Sequence, residues 1–348
     1  MHFAFTDQQL EFRDAVRQVL AKECTTDDVR AAYDAPAART ARWATLAELG
    51  VTGLTVPEDL GGLGLGLVDL VPLVEEAGRV ALPEPLGTTV GIAAPLLVDL
   101  SAGGSGVPTT PLLTGIAAGA LTVAVADARW PGAPVAGADG AEFLLLVDDG
   151  PDGPGLHALD GSATTVTPAS SLDPTRRLGI PEWAPSADTL LVAGEAARAA
   201  IAVTADRAAV TTGAELLGLA DTMIALTADY ARDRQQFGKA IGSFQAVKHL
   251  LAGAQVLLEF ARPVVYGAAW ALDTRQADAP RAASVAKAYA SDAALEAARV
   301  ALQVHGAIGY TWECDVHLFL KRTWALAEAW GSAGDHRARL LDSLLAGR

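Results

Sequence analysis

Cysteine is nearly absent: Cys24 and Cys314 are the only two in 348 residues, and they stand at opposite ends of the chain. So small a set builds no disulfide framework and suits a reducing compartment, so a cytoplasmic location is expected. Charge is also scarce, at 19% of residues against 51% hydrophobic. That balance supplies a large core, or a core and a subunit interface. The charge present is acidic, −15 net, with no lysine- or arginine-rich run, which argues against a nucleic-acid or anionic-membrane surface. No apolar stretch of about 18 residues runs free of Gly, Pro or charge, so no membrane span is expected. The opening "MHFAFTDQQLEFRDAV" lacks the basic and apolar regions of a secretory signal. Glu313, Cys314, Asp315 and His317 lie close in sequence, yet neighbours on one helix cannot all converge on one metal ion.

Three blocks follow from the pattern. Residues 1–117 carry apolar positions at helical spacing, such as Phe12, Val16, Val19 and Leu20 after a capping Thr6-Asp7. Within them, "VPEDLGGLGLGLVDL" invites a phosphate-loop reading, but its glycines miss the dinucleotide fingerprint and a helix precedes it, so a structural turn is favoured. Residues 118–195 read as a small antiparallel β domain, with strands at "LTVAVA", "EFLLLV", "GLHAL" and "TTVTPA". From 196 to 348 an alanine-rich helical pattern breaks at "FGKAIGS", "DTRQADAP" and "HGAIGY", which predicts a bundle of about four long helices.

In "YARDRQQFGKAIGSFQAVKHLLA", Arg232, Asp233 and Arg234 stand beside Phe237 and Gly238 in a chain poor in charge. An ordinary reading is available: arginines offset a helix dipole and Gly238 caps the helix, with Ser243 capping the next one. The stretch also resembles the Arg-x-x-Phe-Gly…Phe-Gln element of the acyl-CoA dehydrogenase family. "LAELGVTGLTVPEDLGGLGLGLVDLVPLVEEAGR" is similar to that family's N-terminal segment, and "LQVHGAIGYTWECDVHLFLKR" to its Gln-x-x-Gly-Gly-x-Gly-Tyr segment. The resemblance implies an α+β, mostly helical fold with a central β domain and a C-terminal four-helix bundle. It also implies FAD, an acyl-CoA substrate, a homo- or hetero-tetramer and electron-transfer flavoprotein as a partner. By the same resemblance, Arg234 and Phe237 meet the FAD of a neighbouring subunit, with Gln303 and Gly306 as a second contact. A guanidinium suits pyrophosphate oxygens and a ring suits a flavin or adenine face.

Dehydrogenation needs a carboxylate to take the α proton. Many family members carry it in a C-terminal Tyr-Glu-Gly, and here Trp330 and Gly331 take the last two places, with Glu328 reading as a surface charge. Others carry it on the first helix of the C-terminal domain, at a position that falls on Ala208. Two turns on is Glu215, on the same face, in "AAVTTGAELLGLADTMIAL", where only Asp221 is also charged. Its stripe neighbours Thr211, Gly218 and Thr222 form a lane of small residues with room for an acyl chain, making Glu215 the candidate base; the rival reading pairs Glu215 with an arginine.

The middle block departs from the family: it lacks the Thr-Glu-Pro…Gly-Ser-Asp loop, replaced by "VAVADARWPGAP", and the Trp-Ile-Thr strand. Asp173 and Arg176 in "SLDPTRRLGI" read as structural, and His249 and His305 as helix-end histidines. Three functions stay open: a catalytic acyl-CoA dehydrogenase, a non-catalytic partner completing another subunit's FAD site, and a flavin monooxygenase on the same fold.

Overall fold

The computed structural model describes residues 4–35, 40–103, 108–150 and 153–346. Six helices come first: α1 (Asp7–Glu23), α2 (Thr26–Asp34), α3 (Ala41–Glu48), α4 (Leu67–Arg79), α5 (Ala94–Gly103) and α6 (Thr110–Ala117). Thr6 caps α1 in a reciprocal box with Gln9, as its sequence predicts. The glycine-rich turn precedes α4, and its end explains the glycines. The Asp273 carboxylate accepts hydrogen bonds from Leu67 N at 2.9 Å and Val68 N at 2.8 Å, and a Cβ on Gly66 would stand 2.4 Å from its Oδ2. The helix N-terminus therefore holds the protein's own anion, in keeping with a structural turn.

The middle block forms β1 (Val123–Val125), β2 (Phe143–Gly150), β3 (Gly153–Asp160), β4 (Thr165–Pro168), β5 (Gly179–Glu182) and β6 (Leu190–Ala193). The main sheet has the order β1-β2-β3-β6, and β4 pairs with β5 in a second, two-stranded sheet. One pair departs from the antiparallel expectation: β1 runs parallel to β2, with Val123 opposite Phe143. The connection from Ala126 to Glu142 carries the chain back across the sheet end, and a parallel pair needs such a return. Both β5 and β6 lie in stretches rich in Pro and Gly that mask the strand pattern.

Beyond the sheet come α7 (Gly194–Asp233), a short hairpin of β7 (Gln235–Gln236) and β8 (Lys239–Ala240), then α8 (Gln245–Asp273), α9 (Ala279–His305), α10 (Val316–Glu328) and α11 (Ala333–Ala346). The three predicted breaks fall between these helices. A fourth, at Ala329–Ser332, was not foreseen: Trp330 and Gly331 both take positive φ, 57° and 104°, which stops α10. Ser243 does not cap α8; Phe244 holds that place without a side-chain bond. By length and composition α7 could cross a membrane, but 72% of its most apolar window is buried inside the protein.

The N-terminal helices have no separate core. Val16, Leu20, Trp43 and Leu70 pack in one cluster with Leu217 and Met223 of α7, Leu258 of α8 and Phe319 of α10. A second cluster under the sheet joins Leu96, Leu113, Leu145 and Leu156. Within the bundle, Lys287 of α9 is wholly buried and carries no carboxylate partner among the described residues. Its Nζ donates to Ser291 Oγ at 3.1 Å, Ala327 O at 2.8 Å and Gly331 O at 2.9 Å, satisfying carbonyls at the end of α10.

Two predictions follow from these contacts. Asp273→Ala should lower stability by about 1 to 2 kcal/mol, because two α4 amides lose their acceptor; an unchanged denaturation midpoint would refute the capping role. Burial pushes the Lys287 amine down from 10.5 to about 7. The unfolded chain then holds more protons across that window, so stability should rise with pH through it. Denaturant titrations at about pH 7 and about pH 9.5 should show a larger gain for the wild type than for Lys287→Met.

Candidate active site and cofactor corner

Glu215 sits midway along α7, on the wall of a small cleft. Opposite it runs a π-helical turn, Gly87–Ala93, whose glycines permit the close approach. A Cβ on Gly91 would stand 2.8 Å from Thr211 Oγ1, and one on Gly87 3.9 Å from Glu215 Oε2. The cleft measures about 80 Å³ and is lined also by Arg176, Arg322 and Trp330. Glu215 Oε1 accepts a hydrogen bond from Arg322 Nη1 at 2.7 Å; among the described residues no donor reaches its Oε2. Thr211 lines the same cleft, is 2% exposed, and its hydroxyl has no hydrogen-bond partner among the described residues. An unsatisfied buried hydroxyl is costly unless something else binds it.

Arg322, on α10, gathers the walls together. Besides Glu215 it bonds Asp173, Thr175 and, at 3.1 Å, the carbonyl of Leu82. Burial pulls its guanidinium pKa down, but the carboxylates of Asp173 and Glu215 outweigh this and hold it above the ordinary arginine range. Asp173 is itself buried and caps the turn at Pro174–Arg176, a structural role in keeping with its sequence reading. The arginine partner of the rival reading for Glu215 is thus present, and the pair stands on a cleft.

The lane of small residues beside Glu215 is not open to an acyl chain. A Cβ on Gly218 would lie 1.9 Å from Glu75 O, and Thr222 Oγ1 donates to Arg79 O at 2.8 Å. Helix α4 fills the lane, and only its Thr211 end reaches the cleft. Ala208 is wholly buried in the core under the sheet. Trp330, at the place of the common base, lines the same cleft as Glu215. Its left-handed backbone costs about 1 to 2 kcal/mol for a residue with a Cβ. The turn is held by Lys287 and by His336, whose Nε2 lies 3.0 Å from Trp330 O. Burial lowers His336 to about 4, so the ring is neutral near pH 7 and its Nε2–H donates.

A second hollow, about 190 Å³, lies on the other side of Trp330. Residues Val125 to Ala136, with Trp183 and Glu328, form much of its wall. None of its lining side chains carries a hydroxyl, so the departure noted in "VAVADARWPGAP" is expressed in the wall itself. Glu328 is exposed.

The remaining candidates lie at the far end of α7. Arg234 caps that helix and exposes its side chain, which has no partner among the described residues. Phe237 and Gly238 form the two-residue tip of the β7–β8 hairpin, with φ of 55° and 76°. Gly238 therefore serves the hairpin and not the helix cap. Phe237 is 90% exposed in a strained conformation, offset within this chain by an edge contact with Phe244, ring centroids 6.1 Å apart. Tyr230 of α7 stacks on His305 of α9 with ring centroids 4.3 Å apart, so Gln303 and Gly306 come to the same end of the bundle. Gln303 is exposed, and Gly306 takes φ 66° and ψ −144°, a glycine conformation, with nothing within 4 Å of where a Cβ would be. His305 is a satisfied helix-end histidine, bonding Ala301 O.

The sequence reading missed Arg322, the free Thr211 hydroxyl and Lys287. Lys287 lacked the signal that drew attention to Glu215, because α9 also holds the charges of Arg281, Asp292, Glu296 and Arg299. Arg322 carried none, because its partners lie far away in sequence.

These features agree with comparisons against known proteins. The description "Acyl-CoA dehydrogenase, N-terminal domain" matches residues 6–119, and "Acyl-CoA dehydrogenase, C-terminal domain" matches residues 197–345, so the two matches flank the β unit. Acyl-CoA dehydrogenase IpdE2 of Mycobacterium tuberculosis is 33% identical over 331 residues, covering 92% of each chain. The solved structure of a Tcur3481-Tcur3483 steroid ACAD, G363A variant, superposes with a TM-score of 0.86 at 28% identity over 98% of each chain. Butyryl-CoA dehydrogenase of Megasphaera elsdenii shares the fold, with a TM-score of 0.84 at 21% identity over 99% of this chain and 100% of that one. From the helical termini to the corner at Arg234, this chain belongs to the acyl-CoA dehydrogenase family of flavin-dependent oxidoreductases acting on CH–CH bonds.

Proposed function

We propose that this chain is the partner half of a mixed acyl-CoA dehydrogenase, completing from outside the FAD site of a related subunit. The observation that carries this reading is the contrast between the two ends of the path from Glu215 to Arg234. At the corner, an unpaired guanidinium, a strained exposed ring and an open glycine backbone fit a dinucleotide. At the cleft, two small hollows with no hydroxyl in the larger one do not fit a flavin ring together with an acyl chain. Ligand pockets for such molecules run to about 300 Å³ or more.

When bound, FAD supplies the hydride acceptor for α,β-dehydrogenation of the acyl-CoA. In this chain Arg234 would grip pyrophosphate oxygens, Phe237 would cover an aromatic face, and Gln303 with the Gly306 backbone would approach from α9. The steroid ACAD, named for two chains, supports a mixed tetramer and makes ring-bearing acyl-CoAs the first substrates to try. Electron-transfer flavoprotein as the reoxidant and a cytoplasmic location belong to the same proposal. A second reading has its own support: Glu215 as base in this chain's cleft, with Oε1 held by Arg322 and Oε2 without a donor beside an unpaired Thr211.

Purified alone, the chain should be colourless, and with a related full-length subunit it should yield a yellow complex. Arg234→Ala should weaken FAD binding by that complex about tenfold to a hundredfold, the value of a charge-assisted hydrogen bond. Stoichiometric FAD on the isolated chain would overturn the partner reading. Glu215→Gln separates the second reading: as partner, the complex should keep its turnover within about twofold, whereas a lost base would cost about a hundredfold or more with flavin retained.

A further inference from the structure

Trp330 lines three hollows, not two. The third, about 40 Å³, is apolar and bounded by Leu96, Leu156 and Ile201. Among the described residues Trp330 alone lines all three and alone is shared by the Glu215 cleft and the apolar hollow; Ala136, Arg176 and Ala329 also stand between the first two, and residues 125–129 with Val147 between the larger hollow and the apolar one. Each alone, at about 190, 80 and 40 Å³, falls short of the roughly 300 Å³ at which small-molecule pockets begin; joined through the space of an indole, they would pass it. The turn that places the indole is held deliberately. Trp330 takes the left-handed conformation that glycine prefers, and Lys287 and His336 fix the carbonyls of Ala327, Trp330 and Gly331. Thr211, whose buried hydroxyl has no partner among the described residues, lines the Glu215 cleft.

We propose that Trp330 is an internal partition, clamped by Lys287 and His336, that keeps this chain's own ligand space closed to planar ring groups of flavin size. The proposal deepens the partner reading, which leaves the chain without a ring site of its own, and names the residue responsible. The clamp is a positioning device: it acts on the backbone of Trp330 and touches no ligand.

Riboflavin is the probe, because it carries the ring without the pyrophosphate and adenine that the Arg234 corner would bind. In equilibrium dialysis the wild-type chain should retain none, and Trp330→Gly should bind it at least tenfold more tightly, with Trp330→Phe unchanged. Glycine relieves the left-handed backbone, which favours a folded variant; circular dichroism and the thermal midpoint check this. Should it fail to fold, Trp330→Leu, which keeps apolar volume, should show a gain of about threefold, near 0.6 kcal/mol. Folded Gly or Leu variants with wild-type riboflavin binding would overturn the partition. Arg234→Ala in the mixed complex must leave riboflavin binding to Trp330→Gly untouched. The partner reading would fail on FAD retention by the isolated wild-type chain, a separate measurement.

Discussion

A straight helix sets the distance between any two of its residues, and α7 carries both functional regions of this protein. Glu215 and Arg234 are 19 residues apart on it, about 28 Å at 1.5 Å per residue. One chain therefore cannot fold its cleft onto its own corner. Whatever binds at Arg234 and Phe237 must come from the side, and α4, α8, α9 and α10 all pack along α7 to hold that separation. The architecture thus makes the corner an offered surface. The exposed phenylalanine in a left-handed turn, beside an arginine without a partner among the described residues, suits the cofactor corner proposed above.

In a chain with few charges, the buried ones hold the cleft together. Arg322 ties α10 to α7 through Glu215, to the 3₁₀ turn through Asp173 and Thr175, and to the end of α4 through Leu82. Arg42 and Glu84 pair nearby in the same way, and Glu75 takes Arg262 and Tyr266 between α4 and α8. Such pairs add little net stability against an apolar packing, but losing one partner costs about 3 to 5 kcal/mol. They fix geometry, which is what the facing walls of a cleft require.

Much of this was legible in order along the chain. Capping at Thr6, the glycine turn before α4 and the three inter-helix breaks follow from local chemistry, and the structure places each where the pattern put it. Residues with long-range partners were not. The α4 packing that fills the lane at Gly218 and Thr222 is invisible to helical spacing, which says that two residues share a face but not what covers it. The break at Trp330 was hidden because a tryptophan gives no turn signal; its conformation is imposed by Lys287 and His336, from other helices. The parallel β1–β2 pair depended on a connection whose path the strand pattern does not encode.

Charge balance bears on what Glu215 does. At the cleft the guanidiniums of Arg176 and Arg322 act on the carboxylates of Asp173 and Glu215, while Arg177 and Glu84, the latter paired with Arg42, also line the wall. Removing the Glu215 charge would leave both arginines facing Asp173 alone in a buried setting. Such an excess is the condition under which breaking an ion pair is most destabilising. The Glu215 carboxylate, bonded to Arg322 at 2.7 Å, locks α7 to α10. The same pair stands beside Trp330 in the wall of the cleft. On this argument the Glu215 carboxylate has a structural task, tying α10 to the helix whose far end is the proposed cofactor corner.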